Sequence, residues 1–157
     1  MRYVLVLLAL GILSCETGSA GRIEVLLRTS DWIWNRDRDA DFQATIPLNN
    51  GRTQRVVIRQ RAFETERGKM REILSMAQRL DSTPQPGLMQ HLLEASVATE
   101  VWGHWGLIKN ADKNQFFIVY IVKIPENASQ SLYRRAILET AHVADHWERL
   151  MSALDQF

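Results

Sequence analysis

Two segments of alternating residues, joined by the tripeptide NNG (49–51), constrain the fold of this chain more than any other feature. The first, FQATIPL (42–48), carries an apolar residue at every second position, which is the pattern of a strand with one buried face. Asparagine and glycine tolerate the positive φ angles of tight turns. The segment RTQRVVIRQ (52–60) then returns as a second strand. We therefore predict an antiparallel β-hairpin at the centre of the fold.

The rest of the first half is less uniform. RIEVLLRTS (22–30) fits a short helix or a strand, and DWIW (31–34) is rich in residues that favour strands. The segment 63–80 fits either a helix or an additional strand. Two prolines and a glycine in DSTPQPG (81–87) predict a loop between the two halves of one domain.

The second half has clearer periodicity. LMQHLLEASVA (88–98) has the apolar spacing of a helix, whereas TEVWGHWGLIK (99–109) and QFFIVYIVKI (115–124) predict two strands. The near-continuous apolar run of the last strand indicates burial on both faces or a binding edge. A long helix is expected to begin with Ser129 or Ser131 as N-cap. The predicted order is α-β-β-β-α-β-β-α, an α+β single domain with an antiparallel sheet packed by helices.

The N-terminus predicts export. After Arg2, 12 residues without charge precede Cys15, a run shorter than the about 20 residues that span a bilayer. The run has the length of a signal-peptide core, and ILSC (12–15) resembles the lipobox of bacterial lipoproteins, in which the cysteine is acylated. We predict a signal peptide at 1–15, a tether at 16–21 and the domain at 22–157, anchored in the cell envelope by lipid on Cys15. The alternative is a structured N-terminus on a cytoplasmic protein.

The sequence offers little for catalysis. A net charge of +1 recruits neither nucleic acid nor acidic membranes, and we find no nucleophile elbow, phosphate-binding glycine loop or cysteine cluster. We therefore predict a protein without enzymatic activity or cofactor. His142 and His146 are four residues apart on the outer face of the last predicted helix, so a surface metal site is an alternative, although such a site needs a third ligand.

Aromatic residues concentrate on the predicted strands. The candidate peptide-binding residues are Trp32, Trp34, Trp102, Trp105 and Phe117. Aromatic side chains on a strand either fill the core between sheet and helices or, where exposed, form a groove for an apolar peptide. Both interpretations are open for each residue. The expected partner is a protein or peptide client, and a homodimer is also expected.

Three segments resemble a known family. GRTQRVVI (51–58), HLLEASVATEVWGHWGLI (91–108) and AHVADHWERLMSALDQF (141–157) are similar to the YbjN-like proteins of the type III secretion chaperone-like (CesT/Tir chaperone) fold group. In the last segment Ala144, Asp145, Glu148, Leu154, Asp155 and Phe157 match the family pattern. Ser96 departs from it, because the family often has asparagine there.

The resemblance has consequences for fold and function. It implies the same α-β-β-β-α-β-β-α order, and secretion chaperones of this fold commonly dimerise and hold unfolded client segments along the sheet and first helix. It brings no catalytic residues. An exported lipoprotein would be unusual in this group, whose secretion chaperones work in the cytoplasm.

Overall fold

A computed structural model describes residues 18–98, 102–110 and 112–151. Within these residues three helices and seven strands follow one another, with a short 3-10 turn at Asn49–Gly51 between the second and third strands. In chain order these elements are α1 (Ser19–Arg28), β1 (Ile33–Arg36), β2 (Phe42–Pro47), β3 (Thr53–Ile58), β4 (Phe63–Thr65), β5 (Gly68–Leu80), α2 (Pro86–Ala98), β6 (Gly103–Asn110), β7 (Gln115–Pro125) and α3 (Gln130–Met151).

The strands form one antiparallel sheet in the order β1-β2-β3-β5-β7-β6, with β4 paired to β5. The predicted α+β class is confirmed. The central hairpin is confirmed as well, with Phe42 opposite Ile58 in the β2–β3 ladder. Gly51 in its turn has a φ of 73°, which glycine adopts without steric cost.

The segment 63–80, which fitted either a helix or a strand, forms the β4–β5 hairpin. The region before α2 therefore contains five strands rather than the predicted three. β5 pairs with β7 from Met70 to Leu80, with a bulge between Met76 and Gln78, so its backbone groups are satisfied in the middle of the sheet. The local pattern of this segment fitted a helix and a strand equally well, and its pairing with the distant strand β7 selects the strand.

All three helices lie on one side of the sheet. α3 crosses β3, β5 and β7, α2 packs beside β6, and α1 contacts α3. The core between them contains alternate residues of each central strand, such as Val56, Ile73 and Tyr120. α3 begins after Ser129, whose Oγ accepts a hydrogen bond from the N–H of Leu132 at 3.2 Å, as predicted for one of the two N-cap candidates.

Several boundaries differ from the predicted ones. α1 begins at Ser19, inside the predicted tether and three residues before the predicted start of the domain. Trp32 precedes β1 and Trp102 precedes β6. Leu150, in the final turn of α3, is 65% exposed. Some predictions lie outside the described residues. These are the predicted signal peptide with Cys15 and the family-pattern positions 154, 155 and 157.

Candidate peptide-binding surface

The face of the sheet opposite the helices, here called the open face, carries a continuous apolar patch. Strand registers place its members in three neighbouring rows across β3, β5, β7 and β6. The patch consists of Val57, Leu74 and Ile121 in the first row, Met76 and Val119 in the second, and Phe117 and Ile108 in the third. None of the described helices covers this face.

Two members of the patch have little solvent exposure. Leu74 is 6% and Val119 0% exposed. A Cβ atom at Gly106 would lie 2.9 Å from Cδ1 of Ile121. The side chain of Ile121 therefore lies over β6 at Gly106.

Charged residues border the patch unevenly. Glu72 pairs with Lys123 at 3.5 Å, one row beyond Leu74 and Ile121. At the other end, Arg55 and Arg79 are exposed, and neither forms a salt bridge within the described ranges. The border of the patch thus carries uncompensated positive charge at one end.

β6 forms one edge of the sheet. The N–H of Trp105 donates to Oγ of Ser96 at 3.0 Å, so α2 occupies the edge at that point. Beyond it, Leu107 and Ile108 are 39% and 38% exposed. On α2, Leu93 and Val97 are 59% and 90% exposed on the flank that faces away from α3. An apolar edge strand of this length is a template for pairing with another chain.

The five predicted aromatic residues do not form one surface. Trp32 and Trp105 are only 8% and 5% exposed, so for these two the structure supports the core, one of the two interpretations left open above. Trp105 lies opposite Tyr120 in the β6–β7 register and so faces the helices, with its ring centroid 5.2 Å from that of Tyr120. Trp34 and Trp102 are half-buried against the same core. Of the five, Phe117 lies on the open face.

The two histidines of α3 border a different feature, a groove of about 580 Å³ between α2 and α3. His142 and His146 are exposed there, as predicted, opposite His91 and Glu94 of α2. The ring of His91 is tilted by 58° to that of Trp147, and the two ring centroids are 5.3 Å apart. Among the described residues no group of three histidine, cysteine, aspartate or glutamate side chains could hold a metal ion, so the metal site stays a prediction that lacks a third ligand.

Two of the segments that carry the family resemblance meet in the structure. Nε of Arg52 lies 2.5 Å from Oδ1 of Asp145. Nη2 of the same guanidinium group lies 3.4 Å from Oε2 of Glu148, which is fully buried. Arg149 adds a second cation to Asp145 at 3.3 Å. No local pattern predicts this contact, because Arg52 and Asp145 are 93 positions apart in the sequence.

A second buried arginine was also missed. Arg71 donates hydrogen bonds to the backbone oxygens of Arg59 and Gln60, to the carboxylate of Glu126 and to the hydroxyl of Tyr133. It joins the first part of β5 to the turn before β4 and to α3. Burial raises the pKa of Tyr133, and the neighbouring Arg71 opposes that shift. Both arginine clusters hold the fold together.

No protein-family model matches the chain, and no curated protein matches it. The resemblance to YbjN-like and secretion chaperone-like proteins therefore stays a prediction. Within the part of the chain that the structure describes, no helix is both long and apolar enough to cross a membrane.

Proposed function

We propose that this protein is a non-enzymatic binding domain that holds a segment of a partner polypeptide on the open face of its sheet. The observation that carries the proposal is the apolar patch from Val57 to Ile108, which none of the described helices covers. Contiguous apolar surface on one side of a soluble domain typically marks a site of protein–protein contact.

The patch suits an extended segment. A strand turns every second side chain to the same side, with a repeat of about 7 Å, which is also the spacing between neighbouring rows of the sheet. Phe117 is the largest apolar side chain of the patch. Because aromatic anchors dominate the energy of many interfaces, we expect Phe117 to contribute most.

The edge of β6 supports the predicted homodimer as a second contact. Since the N–H of Trp105 points to Ser96, the outward backbone groups of β6 belong to Trp105, Leu107 and Lys109. A two-fold axis at Ile108 pairs Leu107 of one copy with Lys109 of the other and leaves the bond to Ser96 intact. No like charges then face each other.

Peptide binding tests the main proposal. Short synthetic peptides with apolar residues at alternate positions are titrated against the full chain by fluorescence anisotropy. Phe117→Ser should weaken binding about tenfold or more, whereas Val25→Ser, at an exposed apolar position on α1, should leave it unchanged. Circular dichroism of each variant verifies folding. Equal affinity for both folded variants, or no binding to the wild type, would overturn the proposal.

The dimer requires a separate variant. Leu107→Lys would place two lysines opposite each other across the proposed axis without altering the open face. Sedimentation equilibrium should show a dimer for the wild type and a monomer for the variant. A wild type that is monomeric at high concentration would remove the dimer while leaving the peptide site in place.

We also propose that the domain is tethered to the cell envelope through an acylated Cys15, a proposal that is supported by the ILSC (12–15) pattern alone. Mass spectrometry of the mature N-terminus in its native host tests it. A diacylated or triacylated Cys15 is expected, and an intact Met1 would contradict export and favour a cytoplasmic protein.

A further inference from the structure

We infer that the segment bound on the open face is acidic, with carboxylates beside its apolar residues. The inference rests on the proposed function and names the chemistry of the partner. It comes from the charges that border the apolar patch.

Arg55 and Arg79 lie next to the patch on adjacent strands. Val56 is opposite Ser75 in the β3–β5 register, so Arg55 is level with Met76, one step further along. Arg79 is directly opposite Phe117. Both guanidinium groups therefore adjoin the second and third rows, where a bound segment would cover Met76 and Phe117.

Other arginines on or next to the same strands form ion pairs within the fold. Arg52, Arg59 and Arg71 each have a carboxylate within 4 Å, respectively from Asp145, Asp41 and Glu126. Arg55 and Arg79 have no such partner in the described part of the chain. The acidic residue of the open face, Glu72, is neutralised by Lys123 at the opposite end.

A carboxylate from a ligand would complete this end of the surface. A guanidinium group binds a carboxylate through two parallel hydrogen bonds, and the adjacent apolar patch excludes water from the pair. Rows of the sheet are about 7 Å apart, which matches alternate residues of an extended chain. The complementary segment therefore carries apolar residues on the side facing the sheet, followed by two carboxylates two positions apart.

A pair of matched peptides tests this chemistry. One carries alternate apolar residues followed by Glu-x-Glu, and the other has glutamines in place of the two glutamates. The wild-type protein should bind the acidic peptide about tenfold more tightly than the amide peptide at low salt. The difference should shrink as ionic strength rises, because exposed charges are screened over about 8 Å at physiological salt.

Charge-removing variants locate the effect. The double variant Arg55→Gln/Arg79→Gln should bind both peptides with the same affinity. The control Arg38→Gln/Arg67→Gln removes two exposed arginines from turns away from the patch and should keep the preference. If wild type binds both peptides equally, or the preference survives in the first double variant, the acidic partner is refuted while the peptide site stands. If neither peptide binds, the proposed function itself fails.

Discussion

Replacing Arg52 with methionine tests whether the contact between the β2–β3 turn and α3 stabilises the fold. Methionine keeps most of the apolar stem of the side chain and removes its charge. Asp145 would then keep its contact with Arg149, whereas Glu148 would lose its contact with Arg52.

The expected cost follows from the burial of these groups. Removing one partner of a buried ion pair costs about 3–5 kcal/mol, because the other charge stays buried without compensation. Glu148 is 0% exposed, but solvent reaches part of Arg52, and Arg149 still neutralises Asp145. We therefore expect a loss of about 3 kcal/mol, a large part of the about 5–15 kcal/mol that stabilises a domain.

Urea unfolding followed by tryptophan fluorescence measures this loss. Arg55→Met is the matched control, since Arg55 is exposed and forms no salt bridge in the described ranges, and its cost should stay within about 0.5 kcal/mol. Adding Glu148→Gln to Arg52→Met should recover about 1–2 kcal/mol, because the uncompensated charge is then gone. If Arg52→Met costs no more than the control, or the two changes are simply additive, the buried pair does not stabilise the fold as argued.

Three further measurements address the core and the sheet edge. Arg71→Met should cost about 3–5 kcal/mol in urea unfolding, because it leaves Glu126 and two backbone oxygens without this donor; a loss below 1 kcal/mol would contradict its role. Because burial raises the pKa of Tyr133 above 10.0, the folded state retains the phenol proton longer than the unfolded state. The free energy of unfolding should thus be unaffected by this group below pH 10.0 and fall above it. Tyr133→Phe should reduce the loss of stability at alkaline pH. The same pH profile in wild type and variant would refute this link between Tyr133 and stability. Ser96→Ala should cost about 1–2 kcal/mol and accelerate hydrogen exchange of the Trp105 amide, whereas unchanged exchange would show that Ser96 does not hold the β6 edge.

Much of the fold could be predicted where the signal was local. The alternation of 42–48, the NNG turn and the helical period of 88–98 each concern residues close in sequence, and all three elements form as expected. The segment 63–80 could not be assigned, because its partner β7 lies about 45 positions further along the chain. For the aromatic residues, the sequence left open whether each one fills the core or lies on the outer face of the sheet.

The sequence by itself determined the α+β class, the central hairpin and the start of the last helix, because turn chemistry, alternation and capping act between near neighbours. Only the tertiary structure decided which face of each strand the helices would cover. That choice buries Trp105, leaves Phe117 on the open face and brings Arg52 to Glu148. Period-two alternation separates the two faces of a strand, but strands apolar on both sides do not specify which face the helices bury.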